Sequence, residues 1–453
     1  MSADLSGRSF SVVGLARSGV AAANTLVRLG ADVLASDSRS ADTAHDLVKT
    51  LDSRVQVVFG QNVVRPGDDV VMSPGVPPRA PVFAEARAAG CRILSEVQLF
   101  QELRPDVTIA AITGTDGKST TTSWLGAICA RARKTFVGGN IGIPLSGAVM
   151  ALESGQLVVA EISNAQLETA PAFHPSVAVV TNIAPEHLDY HGSFDAYVAA
   201  KHRIIENLGP GDTAVLRDDP LLSSWTLPAG ARRWLFGRHG AALPADVDGL
   251  YVAGGQIVHR VGADVTTLVP VESLALRGLH NLENAMAAAG AALALGVDVD
   301  IVRAGLTDFS GLEHRLERVR TLRGVTWHND SKATNPHAAL AGLTAFAGQA
   351  LVVIAGGSAK GADFTEWAEG VIPRARHVIV NGATAEAMVM ALAGRVPVTR
   401  VVDLGSAVTE AAALTRDWGA AHVVLSPACA SFDQFRDYEH RGRVFKALVA
   451  ELQ

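Results

Sequence analysis

The chain has 453 residues, so a prior of about 150 residues per domain points to three domains. Hydrophobic residues make up 48 % of it and charged residues 19 %, which suits buried cores and excludes a disordered chain. A formal net charge of −6 without a long run of lysine or arginine argues against a nucleic-acid partner, while 43 glycines beside 5 % aromatics favour α/β architecture.

Phe10 to Val13 reads as a short buried strand. Gly14-Leu15-Ala16-Arg17-Ser18-Gly19 follows as a turn, then an apolar helix to Leu29 that Gly30 stops. Asp32 to Ala35 forms a second strand leading to Asp37, which completes a βαβ unit. The turn departs from the dinucleotide fingerprint at Ala16, although Asp37 falls near the place of a ribose-binding acid. A structural turn, a dinucleotide site and a nucleotide site of another kind all stay open on this pattern. Val55 to Phe59 and Asp69 to Met72 continue the alternation, the latter ending in Ser73-Pro74-Gly75. After Cys91 to Leu94 the sequence turns more polar, and Arg104-Pro105 reads as a linker.

A second strand, loop and helix begin at Val107 to Ile112, where Gly114-Thr115-Asp116-Gly117-Lys118-Ser119-Thr120 opens the helix. Backbone N–H groups of such a turn point at anions on the positive end of the helix dipole. Lys118 is placed to reach β- and γ-phosphates and Ser119 to offer its hydroxyl to Mg²⁺. Ile112 stands where the usual phosphate loop has its first glycine, so a tight turn capped by Ser119 is the competing reading. Further strands are expected at Leu157 to Glu161 and Val177 to Thr181, and a long small-residue helix at Gly278 to Leu295. The pattern breaks around Phe309 to Arg315. A third α/β unit then carries strands at Leu351 to Ala355, His377 to Val380 and His422 to Leu425. Three α/β domains are expected, with boundaries near residues 96 and 312.

A strand after a phosphate loop often ends in an acid that holds Mg²⁺, and Glu161 fits that place. His187 lies in a polar loop past the next apolar strand, where open α/β sheets carry ligands. Magnesium prefers oxygen, so a lone histidine at its site is unusual. Lys201 sits in an amphipathic helical stretch, and spacing alone makes it a solvated or ion-paired lysine. Cys91, Cys129 and Cys429 form no pair motif or zinc spacing and fit a reducing compartment. The first residues show no secretory signal, and the longest apolar stretch, Ala285 to Val297, is too short to cross a bilayer. A soluble cytoplasmic protein is expected.

Together these segments resemble the Mur ligase family, ATP-dependent amide-forming ligases of peptidoglycan precursor synthesis. The resemblance rests on Thr113 to Thr120, Gly139-Asn140-Ile141-Gly142, Asn182 to Asp189, Lys201, Gly278 to Asn284, His314-Arg315, Asn329 to Pro336, Gly356 to Phe364 and Leu425 to Arg436. The last three blocks look like those of the D-glutamate-adding branch.

The resemblance implies a Rossmann-like N-terminal domain over residues 1–96 that holds UDP. It implies a central ATP-binding domain with a parallel P-loop ATPase-like sheet over 97–312, and a Rossmann-like α/β amino-acid-binding domain over 313–453. Leu15 and Ala16 would lie on the diphosphate, and Asp37, Ser38, Arg39, Ser73 and Gly75 on the uridine side. Asn140, Ser163, Gln166 and His187 would line the path of a muramoyl-alanine arm. ATP would rest on Gly114, Thr115, Asp116, Gly117, Lys118, Ser119 and Thr120, with Asn281 and Asn284 near adenine and Arg315, Asp330 and Lys332 near ribose, phosphates and reacting groups. Lys118, Glu161, His187 and Lys201 would be catalytic. Mg²⁺ would be held by Ser119, Glu161, His187 and Lys201, the last as a carbamate. D-glutamate would contact Thr334, Lys360, Ser431 and Tyr438. The resemblance implies UDP-N-acetylmuramoyl-L-alanine and D-glutamate as substrates, no nucleic acid, no membrane insertion and a monomer. Asp116, Ser163-Asn164-Ala165-Gln166 and Tyr438 depart from the family's commoner residues. A sister ligase for another amino acid and, from the first glycine turn alone, an NAD-dependent dehydrogenase are the alternatives; a non-catalytic nucleotide-binding regulator would need the phosphate loop or the metal ligands to be broken.

Overall fold

The computed structural model describes residues 4–43, 46–186, 188–237, 247–276, 278–358 and 363–453. The first sheet contains β1 (Ser9–Val13), β2 (Asp32–Asp37), β3 (Gln56–Phe59), β4 (Asp69–Met72) and β5 (Arg92–Ser95). All are parallel, in the order β3-β2-β1-β4-β5. Phe10, Val12 and Val13 are buried on both faces of β1, as a parallel sheet covered by helices requires.

The second sheet contains β6 (Thr108–Thr113), β7 (Thr135–Gly139), β8 (Leu157–Glu161), β9 (Val177–Val180), β10 (Thr213–Arg217), β11 (Arg232–Phe236), β12 (Asp248–Ala253), β13 (Gln256–Val261) and β14 (Asp264–Pro270). Their order is β14-β13-β12-β11-β10-β9-β6-β8-β7, parallel from β12 to β7 and antiparallel across β12, β13 and β14. The helix Leu279–Ala294 packs on the helix Lys118–Ala130 and on this sheet. Its run of buried alanines permits the close approach: a Cβ added at Gly290 would come within 2.8 Å of Leu250 Cδ1.

The third sheet contains β15 (Glu317–Leu322), β16 (Val325–Asn329), β17 (Leu351–Gly356), β18 (His377–Asn381), β19 (Val398–Arg400) and β20 (Ala421–Leu425). It is ordered β15-β16-β20-β17-β18-β19, with β15 antiparallel and the rest parallel. The chain forms two compact units, residues 1–309 with the first two sheets and residues 310–453 with the third. No helix among the described residues is long and apolar enough to cross a membrane.

Two local expectations change. The polar stretch after Leu94 is a helix, Glu96–Leu103, capped by the Ser95 side chain. Arg104, read as linker, is buried, with its guanidinium donating to the carbonyls of Val149, Leu152 and Glu153 and to Asp106. The β12–β14 meander also went unread. Its first turn is Gly254-Gly255, both at positive φ (56° and 74°), the two-residue hairpin that such a pair signals.

Candidate functional site

The connections after β1 and β4 leave in opposite directions, so the crevice at their C-terminal ends is a topological switch point, where open α/β sheets bind ligands. Gly14 has φ +89°, and a Cβ there would come within 2.8 Å of Ser73 Cβ, so the two loops meet at a distance only glycine allows. Asp37 accepts from Leu15 N at 2.8 Å and from Arg39 Nε and Nη2 at 2.9 and 2.7 Å. That bidentate guanidinium holds the Asp37 carboxyl down to about 2, so it is ionised at neutral pH. A cavity of about 180 Å³ opens between Ala16, Arg17, Ser73 and Gly75 on one side and Asn140 and Pro144 on the other. Arg17 closes it by donating to the Gly142 carbonyl. Two motifs more than a hundred residues apart thus share one cleft. From there Asn140 Nδ2 donates to Glu161 Oε1 at 2.8 Å.

Glu161 ends β8 beside Ile112 of β6 and Gly139 of β7. It is 2 % exposed, and its Oε2 has no hydrogen-bond partner among the described residues. Such an orphaned, buried carboxylate oxygen fits a hard divalent cation, which takes oxygen ligands. The phosphate loop runs from β6 to Gly117, whose left-handed φ of 78° lets the backbone turn into the helix at Lys118. Side chains at two of its glycines are excluded by neighbours: a Cβ at Gly114 would meet Thr181 Oγ1, and one at Gly117 would meet the Asn284 amide. Thr181 Oγ1 donates to Asp116 O at 2.5 Å, and Asn182 exchanges hydrogen bonds with Asp116 N and O at 2.9 and 3.1 Å. Thr115 Oγ1 pairs with Tyr197 OH at 2.9 Å and accepts from Ala184 N at 3.0 Å. The loop backbone is therefore held in its conformation by these side chains.

Two lysines converge on it. Lys118 Nζ donates to Gly114 O and Thr115 O at 2.9 and 2.6 Å, and Lys201 Nζ donates to the same Gly114 O at 2.6 Å. Lys201 lies on the helix Phe194–Glu206, is 1 % exposed and stands over the Tyr197 ring at 4.7 Å. Burial, reinforced by the Lys118 cation, lowers its pKa to about 7. The solvated lysine that spacing suggests is instead a buried amine that loses its proton far more readily than an ordinary lysine.

In residues 310–453 the loops after β16, β20, β17 and β18 open at one edge of the third sheet. Asp330 accepts from Leu316 N and Ser426 Oγ, both at 3.2 Å, and burial lifts its carboxyl to about 7. Asn329 Nδ2 meets His314 Nδ1 at 2.9 Å and donates to Glu317 Oε2 at 3.0 Å, holding His314 at a φ of 66° just before the exposed Arg315. Arg441, which sequence reading passed over, is buried beneath the loops carrying Ser331 and Ala430. Ser431 follows Ala430 and is buried, and Thr334 and Tyr438 are half-buried.

Three family models match in chain order. They are described as the Mur ligase MurD-like N-terminal domain over residues 8–95, the Mur ligase middle domain over 112–292 and the Mur ligase glutamate ligase domain over 314–429. The chain belongs to the Mur ligase family. Among its relatives are proteins named UDP-N-acetylmuramoylalanine–D-glutamate ligase. That of Acidobacterium capsulatum is 40 % identical over 98 % of this chain and 97 % of its own, and that of Myxococcus xanthus 40 % identical over the full length of both. Solved structures of similar fold include a UDP-N-acetylmuramate–alanine ligase from Thermotoga maritima. It is 20 % identical, has a TM-score of 0.53 and covers 98 % of this chain and 99 % of its own. A MurF structure from Acinetobacter baumannii is 18 % identical with a TM-score of 0.56, covering 99 % and 91 %.

Within this Mur ligase the expected residues fall into three groups. Leu15, Ala16, Asp37, Arg39, Ser73, Gly75 and Asn140 gather around the switch-point crevice. Gly114 to Thr120, Glu161, Lys201 and Asn284 gather at the phosphate loop, with Asn281 close to Asn284 (3.5 Å between their amide groups). Ser163 and Gln166 form a reciprocal capping box at the start of the helix Asn164–Glu168, two residues past Glu161. Arg315, Asp330, Lys332, Thr334 and Ser431 belong to the third-sheet loops, and Tyr438 starts the helix Tyr438–Glu451. His187 and Lys360 lie outside the described residues. Thr181, Asn182 and Tyr197 were not expected as site residues. Asn182 stands in a polar loop already singled out, but no spacing rule aims its amide at Asp116.

Proposed function

We propose that this Mur ligase joins the amine of D-glutamate to the L-alanyl carboxylate of UDP-N-acetylmuramoyl-L-alanine, with ATP converted to ADP and phosphate, as a step of peptidoglycan precursor synthesis. Full-length identity of about 40 % to ligases named for that substrate pair supports it. So does a Mur ligase of Thermotoga maritima solved with ADP. The observation that carries the reaction class is the convergence of Lys118 and Lys201 on Gly114 O beside the orphaned Glu161 oxygen. In this reading residues 1–96 hold UDP, 97–312 hold ATP, and 313–453 hold the amino acid.

A carboxylate is a poor electrophile, and phosphorylation by the γ-phosphate gives it a leaving group. The resulting acyl phosphate is attacked by the D-glutamate amine, an amide bond forms, and phosphate departs. Gly114 to Thr120 bind the phosphates through backbone N–H groups, and Lys118 turns from Gly114 O to the transferring oxygens, where it balances the charge that gathers. Mg²⁺, held by Ser119, Glu161, His187 and Lys201, would supply further neutralisation of phosphate charge. Lys201 suits that role as a carbamate: its neutral amine bonds to the carbon of CO₂, loses a proton, and becomes an anion with two oxygen ligands. D-glutamate is held by Thr334, Lys360, Ser431 and Tyr438, and Asn281, Arg315, Asp330 and Lys332 contact ATP.

Phosphate release from Mg·ATP and UDP-N-acetylmuramoyl-L-alanine, with D-glutamate, L-glutamate, L-alanine, lysine or diaminopimelate offered in turn, tests the reading. Release only with D-glutamate and a product one glutamyl residue heavier is expected. Release with another amino acid keeps the mechanism and overturns the acceptor assignment.

A further inference from the structure

Arg441 lies in the first turn of the helix Tyr438–Glu451 and is 3 % exposed. Its guanidinium spends its donors on neutral oxygens alone. Nε donates to Ser331 Oγ and Nη2 to Ser331 O, both at 2.9 Å, while Nη1 and Nη2 each reach Cys429 O at 3.1 Å and Nη1 reaches Ala430 O at 3.3 Å. Among the described residues no carboxylate accepts from it. Burial brings its pKa down only to about 10, so it is a cation at neutral pH.

All these acceptors sit on two loops. Ser331 belongs to the loop after β16, which continues through Lys332 to Thr334. Cys429 and Ala430 belong to the loop after β20, which continues to Ser431. Ser331 Oγ in turn donates to Tyr438 O at 2.8 Å, tying the same guanidinium to a third residue placed at the amino acid. The loop after β17 closes on it as well: a Cβ at Gly357 would lie 3.2 Å from Arg441 Nη1.

We propose that Arg441 is the positioning residue of the acceptor pocket: it sets the spacing of the Lys332–Thr334 and Ser431 loops and supplies, from beneath them, a buried positive charge that favours a dicarboxylate amino acid. The inference rests on the assignment of D-glutamate as acceptor. A guanidinium suits the task because its planar fork serves several carbonyls at fixed angles, which an ammonium cannot do. Among the described residues the Asp433 carboxylate favours the cation from a distance without bonding to it, and an anionic ligand bound nearby offsets more of the cost of burying it.

The test measures KM for D-glutamate and for ATP in the wild type, Arg441→Met, Arg441→Lys and Ser331→Ala, with a thermal unfolding midpoint for each. Arg441→Met is expected to raise KM for D-glutamate about tenfold or more and KM for ATP by a smaller factor, about threefold, because Ser331 lies between Asp330 and Lys332, both placed at ATP. Arg441→Lys, which keeps the charge but loses the fork, is expected to recover part of that rise. Ser331→Ala, which removes one acceptor and leaves the cation, is expected to raise KM for D-glutamate about threefold and to lower the midpoint by a few degrees, as an unpaired buried donor does. If Arg441→Met does not fold, the other two variants decide. Unchanged KM for D-glutamate in every folded variant, or equal rises for both substrates, overturns the proposal. Absence of D-glutamate-dependent release in the wild type overturns the acceptor assignment and the proposal together, and is visible before any substitution is made.

Discussion

Replacing Asp330 by asparagine should stabilise the protein at alkaline pH and leave it unchanged in acid. The carboxyl is buried and has one backbone N–H and one hydroxyl to satisfy it, which lifts its pKa to about 7. An unfolded aspartate ionises near 3.9, so the folded state holds a proton over roughly three pH units in which the unfolded state has lost it. The folded pKa is raised. The stability linked to this group is therefore fully present below about pH 4, falls as pH rises, and is lost above about pH 7. At 1.36 kcal/mol per pH unit the loss amounts to about 4 kcal/mol at most. The asparagine amide would stay neutral and keep an oxygen for Leu316 N, so the variant escapes that loss. Urea unfolding of the wild type and Asp330→Asn from pH 4 to pH 8 should show a stability difference near zero at pH 4 that grows in favour of asparagine to as much as about 4 kcal/mol at pH 8. Turnover should fall in the same variant, since the proposed function puts this group at ATP. A difference that does not change with pH, or a variant less stable than the wild type at pH 8, would refute the reasoning.

Two further substitutions address the phosphate loop. Lys118→Ala should lower turnover by roughly 10²-fold or more with an unchanged unfolding midpoint, by the usual cost of losing an electrostatic donor; near-normal turnover in a folded variant would remove Lys118 from the reaction. In buffer equilibrated with ¹³C-bicarbonate, the wild type should show a carbamate carbon resonance that Lys201→Met lacks. A spectrum identical in the two proteins would leave Lys201 as an amine only.

Much of the fold is legible in local pattern because a parallel strand covered on both faces must be a short apolar run. Leu157–Glu161 was read to the residue for that reason, and the phosphate loop for its glycine, lysine and serine at a strand-to-helix turn. Strands with polar edges were harder to read. Thr213–Arg217, Arg232–Phe236 and the meander after it carry charges and turns that resemble loops, and only Gly254-Gly255 marks a hairpin directly.

By itself, the sequence determined the local turns and the candidate residues on them: the Gly14 and Gly114 loops, Glu161 at a strand end, Lys118 at a helix start. The tertiary structure decided what those residues face. Lys201 is 87 positions from Gly114, and only the packing of its helix against the second sheet brings its amine to that carbonyl and strips it of water. Asn140 finds Glu161, Asn284 braces Gly117, and Arg441 underpins the Ser331 loop 110 residues upstream for the same reason. Hydrogen bonds and desolvation act over a few ångströms in space, whereas helical and strand periodicity extend only a few residues along the chain.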